Sequence, residues 1–227
     1  MIVDQTQETA GKKRRRNALA VKEGYCVTFN TGLSVCFSSD EVAEYYFYEE
    51  AELRRPFETI MVCVLFRRLL TAVLPFVVYT KRTEMQVWRR IAELGFDELE
   101  PVWSQFQEGA RNRLMDYLRE MQYVDDERYV QSYLRTHLEK AASKQSLRMD
   151  LLKRGVASSL IEKALEEVEL DETERARTLL QKKFPDAQGV CSSKERGKIY
   201  RYLAGKGFSG ETIRTVLRGF EDEDGGC

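Results

Sequence analysis

The feature that most limits the possible folds is a ten-residue pattern that occurs three times along the chain. Its copies are residues 87–96, 147–156 and 199–208, and each has a glycine at its ninth position: Gly95, Gly155 and Gly207. Each copy also has an aliphatic residue eight positions and four positions before the glycine, and an apolar residue directly after it. Self-similarity of this kind is typical of repeat architectures, so we expect one structural unit to recur three times.

The pattern describes a helix with a stop signal at its end. Glycine adopts the left-handed conformation past a helix terminus, and the apolar residue after it packs back on the last turn. N-cap residues agree with this interpretation: Thr83 with Gln86, Ser143, and Ser192 with Glu195. A second helix follows each of the last two stops. A further helix precedes them, with acidic starts at Asp125 and Asp171 that favour a helix N-terminus. The repeat is therefore predicted to contain three helices.

These signals predict a mainly α-helical protein: three tandem three-helix repeats in a curved array, preceded by a small N-terminal module of a β-hairpin and a helix. The expected segments are a flexible basic arm at 1–16, the module at 17–55, repeats at 56–124, 125–170 and 171–220, and an acidic tail at 221–227. The first repeat departs from the others, since Pro101 stands where the second has Ile161. We expect its third helix to be extended or kinked.

The N-terminal module is indicated by a change of period. Apolar residues alternate over 25–29 and 33–37, and Asn30-Thr31-Gly32 between them suits a three-residue hairpin loop. An edge strand near 18–22 is possible. Cys26 and Cys36 fall on the second face of this ribbon, where we interpret them as small apolar fillers. Ser38 with Glu41 then predicts a capped helix.

Composition excludes several classes of protein. The chain of 227 residues has 36 Lys and Arg against 37 Asp and Glu, and its five cysteines form no C-x-x-C pair. A zinc site is therefore not expected. The odd, scattered cysteines suggest a reducing compartment, and with no signal-peptide pattern at the start we expect a cytoplasmic protein. The apolar stretch 60–79 is interrupted by Arg67 and Arg68, so we interpret it as a buried helix without a membrane role.

The chain offers no convergent catalytic set. His137 is the one histidine and stands on a helix, and no nucleophile elbow, P-loop or dinucleotide motif is present. The pair Asp125 and Asp126 could be imagined as metal ligands, but helix capping explains it without an ion. We therefore expect no catalytic residues, no cofactor and no metal.

The near-neutral total conceals an uneven distribution of charge. Residues 171–220 contain eleven Lys and Arg against six acidic residues, whereas residues 221–224 are all acidic. A solvated helix face explains such a surplus as well as an electropositive surface that meets a partner does. The basic run Lys12–Arg16 leaves the same choice open. The candidate partner-binding residues are Arg148, Lys153, Arg154, Lys194, Lys198, Arg201, Lys206 and Arg214.

The repeats resemble those of the RecX family. The resemblance rests on Tyr123–Tyr129, on 147–156 with its sequel 160–165, and on 199–209 with 213–217; it covers about residues 57–220. The N-terminal hairpin is similar to an extension found in a subset of that family. The resemblance implies a bacterial, non-enzymatic modulator, usually an inhibitor, of the RecA recombinase. Such a protein would lodge in the groove of the RecA–single-stranded DNA filament and impede ATP hydrolysis, filament growth and strand exchange. Direct contact with DNA would be weak at most, and the chain would be a monomer.

A rival interpretation is a transcriptional regulator of the helix-turn-helix type, since a helix, a glycine turn and a second helix also describe that motif. The helix after Gly155 carries acidic residues at Glu162, Glu166 and Glu167. These are unsuited to reading bases, so the filament regulator is the preferred hypothesis.

Overall fold

The structure is a computed structural model that describes residues 1–9, 19–21, 23–96, 99–138, 142–184 and 193–222. It divides into two compact units. The first comprises Met1–Arg82 with Gln86–Val124, and the second comprises Thr83–Met85 with Asp125–Cys227.

The first unit begins with a three-stranded antiparallel sheet in the order β1-β2-β3. Strand β1 is Val3–Thr9, β2 is Gly24–Phe29 and β3 is Ser34–Phe37. The loop between β2 and β3 is the predicted three-residue turn, with Gly32 at φ 76° and the Phe29 amide donating to the carbonyl of Leu33. The core face of the hairpin is also as predicted, because Val27, Phe29, Val35 and Phe37 are fully buried.

Two expectations for the N-terminus are wrong. Val3–Thr9 is not part of a flexible arm at 1–16 but strand β1, which pairs with β2 from Val3↔Phe29 to Thr9↔Gly24. The module therefore starts before residue 17, and Leu19–Val21 contains no edge strand. Periodicity missed β1 because Val3 is its single apolar residue and its polar side chains find partners far away in the sequence, such as the Phe47 carbonyl, which accepts from Thr6. The basic run Lys12–Arg16 lies outside the described residues.

Helix α1, Ser39–Tyr45, starts at the predicted capping box, in which Ser38 and Glu41 exchange hydrogen bonds. Helix α2, Phe57–Tyr79, then provides the core of the unit with buried side chains that include Ile60, Val64, Leu69 and Val73. By length and apolar composition α2 could also cross a membrane, a property it shares with core helices of soluble proteins. Its Arg68 is accommodated by an ion pair with Glu41 whose side chains are only 9% and 11% exposed.

The rest of the first repeat shows the expected departure. Helix α3, Glu84–Ala92, is followed by a 3-10 segment, Pro101–Phe106, that leads directly into α4, Gln107–Glu120. Pro101 opens the 3-10 segment and the third helix is extended by it, as predicted. Trp103 of this segment is fully buried in the core of the unit.

The second unit contains six helices among its described residues. They are α5, Asp126–Leu138; α6, Lys144–Lys153; α7, Ser158–Glu166; α8, Glu172–Lys183; α9, Ser193–Gly205; and α10, Gly210–Asp222. Helices α5 to α7 enclose one apolar core and α8 to α10 enclose another. Because α10 runs to Asp222, the first two residues of the expected acidic tail are helical; 223–227 lie outside the described residues.

The three glycines end their helices as predicted. Gly95, Gly155 and Gly207 have φ of 66°, 83° and 83°. After the second and third, the amides of Val156 and Phe208 donate to carbonyls five residues earlier, a bond typical of the Schellman motif. The apolar residues of the pattern are all buried. The mainly helical fold with its small N-terminal sheet is therefore confirmed.

Candidate partner-binding surface

Polar contacts join the two three-helix repeats of the second unit. The fully buried Ser143 caps α6 by accepting from the Ser146 amide at 3.1 Å, and its hydroxyl donates to the Lys206 carbonyl at 2.7 Å. The next amide, that of Lys144, donates to the Glu172 carboxylate at 2.6 Å. Arg175 of α8 donates to the carbonyls of Leu138 and Ala142, and its burial lowers its pKa. These bonds fix α8 and α9 relative to α6.

Thr83 and Glu84, which belong to the second unit, repeat the arrangement. The Thr83 hydroxyl donates to the Arg154 carbonyl at 2.5 Å, and the Glu84 amide donates to the Asp126 carboxylate at 2.9 Å. In both places the residue directly before a helix reaches the carbonyl that precedes a left-handed glycine. The sequence marked Thr83 and Ser143 as caps but gave no sign of these junction bonds.

Two of the three candidate residues in the second repeat are engaged within it. Arg148 forms an ion pair with Glu162 at 2.5 Å and also donates to Gln145. Arg154 donates to the Tyr129 hydroxyl at 3.0 Å and lies over the Tyr133 ring. Lys153 is exposed. Among the described residues, Arg148 is the one member of this set that pairs with a carboxylate, while Lys153 and Arg154 keep their charges without one.

The candidates in the third repeat are differently placed. Lys194, Lys198 and Arg201 are exposed and follow each other on α9 at spacings of four and three residues, which places them on one face of the helix. Ile199 and Leu203 occupy the opposite face and are buried in the core of the repeat. Among the described residues no ion pair is formed by these three basic side chains. We call them the α9 stripe.

Two further candidates flank this helix. Lys206, at the end of α9, is exposed, and its ammonium lies 5.8 Å from the Tyr202 ring centroid. Arg214 of α10 is exposed and donates to the Gly210 carbonyl at 2.9 Å. Neither contact neutralises the positive charge. Five of the eight predicted residues are thus exposed cations of one repeat, while Arg148 and Arg154 make contacts within the second repeat.

Sequence reasoning overlooked two glycines on the same face of α9. A Cβ atom built on Gly197 or Gly205 would meet nothing within 4 Å, so no packing contact requires glycine at either position. Glycine inside an exposed helix costs about 0.5–1 kcal/mol relative to alanine. Gly197 lies between Lys194 and Lys198, and it leaves helix backbone accessible between basic side chains. The sequence signal that could have revealed them is a glycine inside an otherwise regular helical pattern.

The residues weighed for catalysis or metal binding have structural partners. His137 stacks on Tyr133 with ring centroids 3.9 Å apart, and its Nδ1 lies 2.9 Å from the Tyr133 carbonyl. Asp125 accepts from the Arg128 amide, as expected of an acidic residue at a helix start, whereas Asp126 accepts from the Glu84 amide at the start of α3. Within the described residues no group of three or more His, Cys, Asp or Glu side chains is arranged to hold a metal ion.

Sequence families match the two repeats of the second unit. Residues 125–165 match the domain described as "RecX, second three-helix domain", and residues 170–217 match "RecX, third three-helix domain".

Solved structures share the fold. A crystal structure of regulatory protein RecX is 19% identical and covers 96% of this chain and 98% of its own, with a TM-score of 0.58. RecX from Lactobacillus salivarius is 21% identical and covers 68% of this chain and 96% of its own, with a TM-score of 0.52.

Curated relatives give the closer sequence likeness. "Regulatory protein RecX" of Serratia proteamaculans is 33% identical over 48% of this chain, and the match spans 64% of that relative, less than two thirds of its length. The protein of the same name in Vibrio campbellii is 32% identical over 62% of this chain and 83% of its own, and that in Vibrio parahaemolyticus is 34% identical over 52% and 76%. The chain belongs to the RecX family of regulatory proteins.

Proposed function

We propose that this protein is a cytoplasmic, non-enzymatic regulator that binds RecA filaments on single-stranded DNA and restrains their ATP hydrolysis and growth. Membership of the RecX family supports a regulatory role. The observation that carries the contact is the α9 stripe, in which Lys194, Lys198 and Arg201 are exposed without a neutralising carboxylate among the described residues.

Charge complementarity explains why such a surface suits this partner. A nucleoprotein filament presents phosphates and acidic side chains repeatedly along its length. Exposed cations on the protein accelerate its association with such a surface and fix the position at which it binds. Lys206 and Arg214 add positive charge beside the stripe. Because several side chains contribute to binding over an extended surface, no deep pocket is required.

The rest of the second unit acts as a frame. In the second repeat, Arg148 and Arg154 are neutralised or held by Glu162, Tyr129 and Tyr133, so they stabilise the repeat itself. The junction between Ser143 and Lys206 then holds α9 at a defined position on this frame. Preorganisation of this kind reduces the entropy lost on binding. A monomer is sufficient for this role.

The direct test is the ATPase rate of RecA on single-stranded DNA with the protein added below the RecA concentration, alongside co-sedimentation with filaments. We expect the rate to fall and the protein to pellet with filaments, and to stay in the supernatant when RecA is omitted. An unchanged ATPase rate together with no co-sedimentation would contradict the proposal. Sequence-specific shifts of duplex DNA in the presence of competitor would instead support the helix-turn-helix regulator.

A further inference from the structure

Two partly exposed cysteines lie directly opposite each other in the N-terminal sheet. Cys26 of β2 pairs in register with Cys36 of β3, and both side chains lie on the face away from the core. The filament-binding role makes no use of either thiol.

The hydrogen-bond pattern of the hairpin brings these two side chains close. The Phe29 amide donates to the Leu33 carbonyl, so the alternation of an antiparallel ladder makes Cys26 and Cys36 a non-hydrogen-bonded pair. The Cys36 carbonyl accepts from Arg68 at 3.1 Å, which is consistent with a residue whose carbonyl points away from the neighbouring strand. In such pairs the Cα atoms are about 4.5 Å apart, within the range that a disulfide spans.

The neighbouring pair on the same face shows how close the side chains come. Thr28 and Ser34 stand two residues along from Cys26 and Cys36 and belong to the same class of pair. Their hydroxyl oxygens are 2.8 Å apart. Cys26 and Cys36 are a pair of the same class on the same face, so their sulfur atoms lie within reach of each other.

We propose that Cys26 and Cys36 form a reversible cross-strand disulfide when the protein meets a hydroperoxide. The Cys26 thiolate attacks the peroxide oxygen, which breaks the O–O bond and leaves a sulfenic acid and one water. The Cys36 sulfur then attacks the sulfenic sulfur, the S–S bond forms, and the S–O bond breaks with release of a second water. The two thiols lose two electrons and two protons, and hydrogen peroxide is reduced to two waters. This inference stands independently of the proposed function.

The surroundings of Cys36 assign the two steps. Burial raises the pKa of Cys36 to about 12, and the adjacent Glu100 carboxylate and Cys26 act in the same direction. Cys36 therefore stays protonated, and the first step falls to Cys26. In the second step the proton of the Cys36 thiol leaves with the sulfenic hydroxyl as water. Glu100 also accepts from the Trp103 indole at 3.0 Å, which fixes its position.

The test uses the full chain in which Cys191 and Cys227 are replaced by serine, so that thiols outside the described residues cannot exchange. Folded protein is treated with hydrogen peroxide, blocked with N-ethylmaleimide and digested with trypsin. The tryptic peptide 23–54 contains both cysteines and no internal basic residue. We expect it to be unlabelled and two hydrogens lighter, and doubly labelled after reduction with dithiothreitol.

Variants separate this reaction from general oxidation. Cys63→Ser, which removes a buried thiol of α2, leaves the result unchanged, whereas Cys36→Ser leaves Cys26 as a sulfenic acid that dimedone traps. Glu100→Gln keeps an acceptor for Trp103 and removes a negative charge that raises the pKa of Cys36, so disulfide formation should be faster than in the unaltered protein. Recovery of peptide 23–54 with both cysteines labelled, or with sulfinic acid at Cys26 and a labelled Cys36, overturns the proposal.

Discussion

The hydroxyl of Ser143 donates a hydrogen bond to the carbonyl of Lys206 at 2.7 Å, and this contact links two repeats whose apolar cores are separate. The same hydroxyl accepts from the Ser146 amide, so one buried atom both caps α6 and holds the end of α9. Thr83 and Arg154 have the equivalent relationship. In this chain, the hydroxyl residue before a helix of one repeat thus binds the carbonyl at the end of a helix in the next repeat.

The first prediction concerns this double role. Ser143→Ala removes a cap and orphans the Lys206 carbonyl, so we expect the free energy of unfolding of the second unit to fall by roughly 2–3 kcal/mol. Ser209→Ala is the matched control, since Ser209 caps α10 at 3.0 Å from the Thr212 amide but is exposed. It should cost about 1 kcal/mol in urea unfolding. Equal losses for the two variants would show that the junction bond contributes nothing.

The second prediction concerns the glycine that faces Ser143. A Cβ atom on Gly207 would lie 2.8 Å from the Ser143 hydroxyl, at φ 83°. Gly207→Ala therefore strains the backbone at residue 207 and also pushes the Ser143 hydroxyl away from its hydrogen-bond partner, the Lys206 carbonyl. Gly32→Ala serves as the control, because Gly32 has φ 76° but open space around it.

For Gly32→Ala we expect the cost of backbone strain alone, about 1 kcal/mol, and for Gly207→Ala at least twice that, in thermal or urea unfolding. A Gly207 variant as stable as the Gly32 variant would contradict the steric role of the junction.

The third prediction tests the buried ion pair of the first unit. Arg68 donates to both carboxylate oxygens of Glu41, at 2.8 and 2.6 Å, and its guanidinium lies over the Trp103 ring. Arg68→Met leaves a buried carboxylate unpaired, so we expect a loss of roughly 3–5 kcal/mol. The double variant with Glu41→Gln should recover part of that loss in a double-mutant cycle. Additive effects would mean that the two charges are not coupled.

The fourth prediction separates stability from binding at Gly197. Gly197→Ala meets no neighbour in this chain, so we expect α9 to gain about 0.5–1 kcal/mol of stability. If a filament approaches the backbone between Lys194 and Lys198, the same variant binds RecA filaments more weakly. Co-sedimentation at several protein concentrations measures this. Binding that is unchanged or stronger would exclude close approach at this position.

Much of the fold could be predicted because its signals are local. Glycine at a left-handed position, a hydroxyl before a helix and apolar residues at helical spacing are all visible within about fifteen residues, and Gly155 with its buried Leu147 and Leu151 illustrates this. Strand β1 was not predicted because its stability comes from pairing with β2, about twenty residues away, while its own side chains are mostly polar. Arg68 interrupts the apolar run of α2 because it pairs with Glu41, which lies 27 residues earlier in the sequence.

The candidate surface could be predicted only in part, for the same physical reason. Counting charges identifies a basic repeat but not which cations are already paired. Arg148 is neutralised by Glu162, fourteen residues away, and Arg154 is held by Tyr129 from another helix. These partners depend on how helices pack. The α9 stripe survives because its spacing alone places it opposite Ile199 and Leu203.

The central claim is that the α9 stripe contacts the filament, and one comparison tests it most directly. Lys198→Glu with Arg201→Glu is compared with Lys182→Glu and Lys183→Glu, which change the charge of the same repeat equally but on α8. Co-sedimentation with RecA filaments on single-stranded DNA is measured for both at fixed salt. We predict at least a tenfold loss of affinity for the α9 variant and a loss of less than threefold for the α8 variant. Equal losses, or an α9 variant that binds like the unaltered protein, would contradict the account.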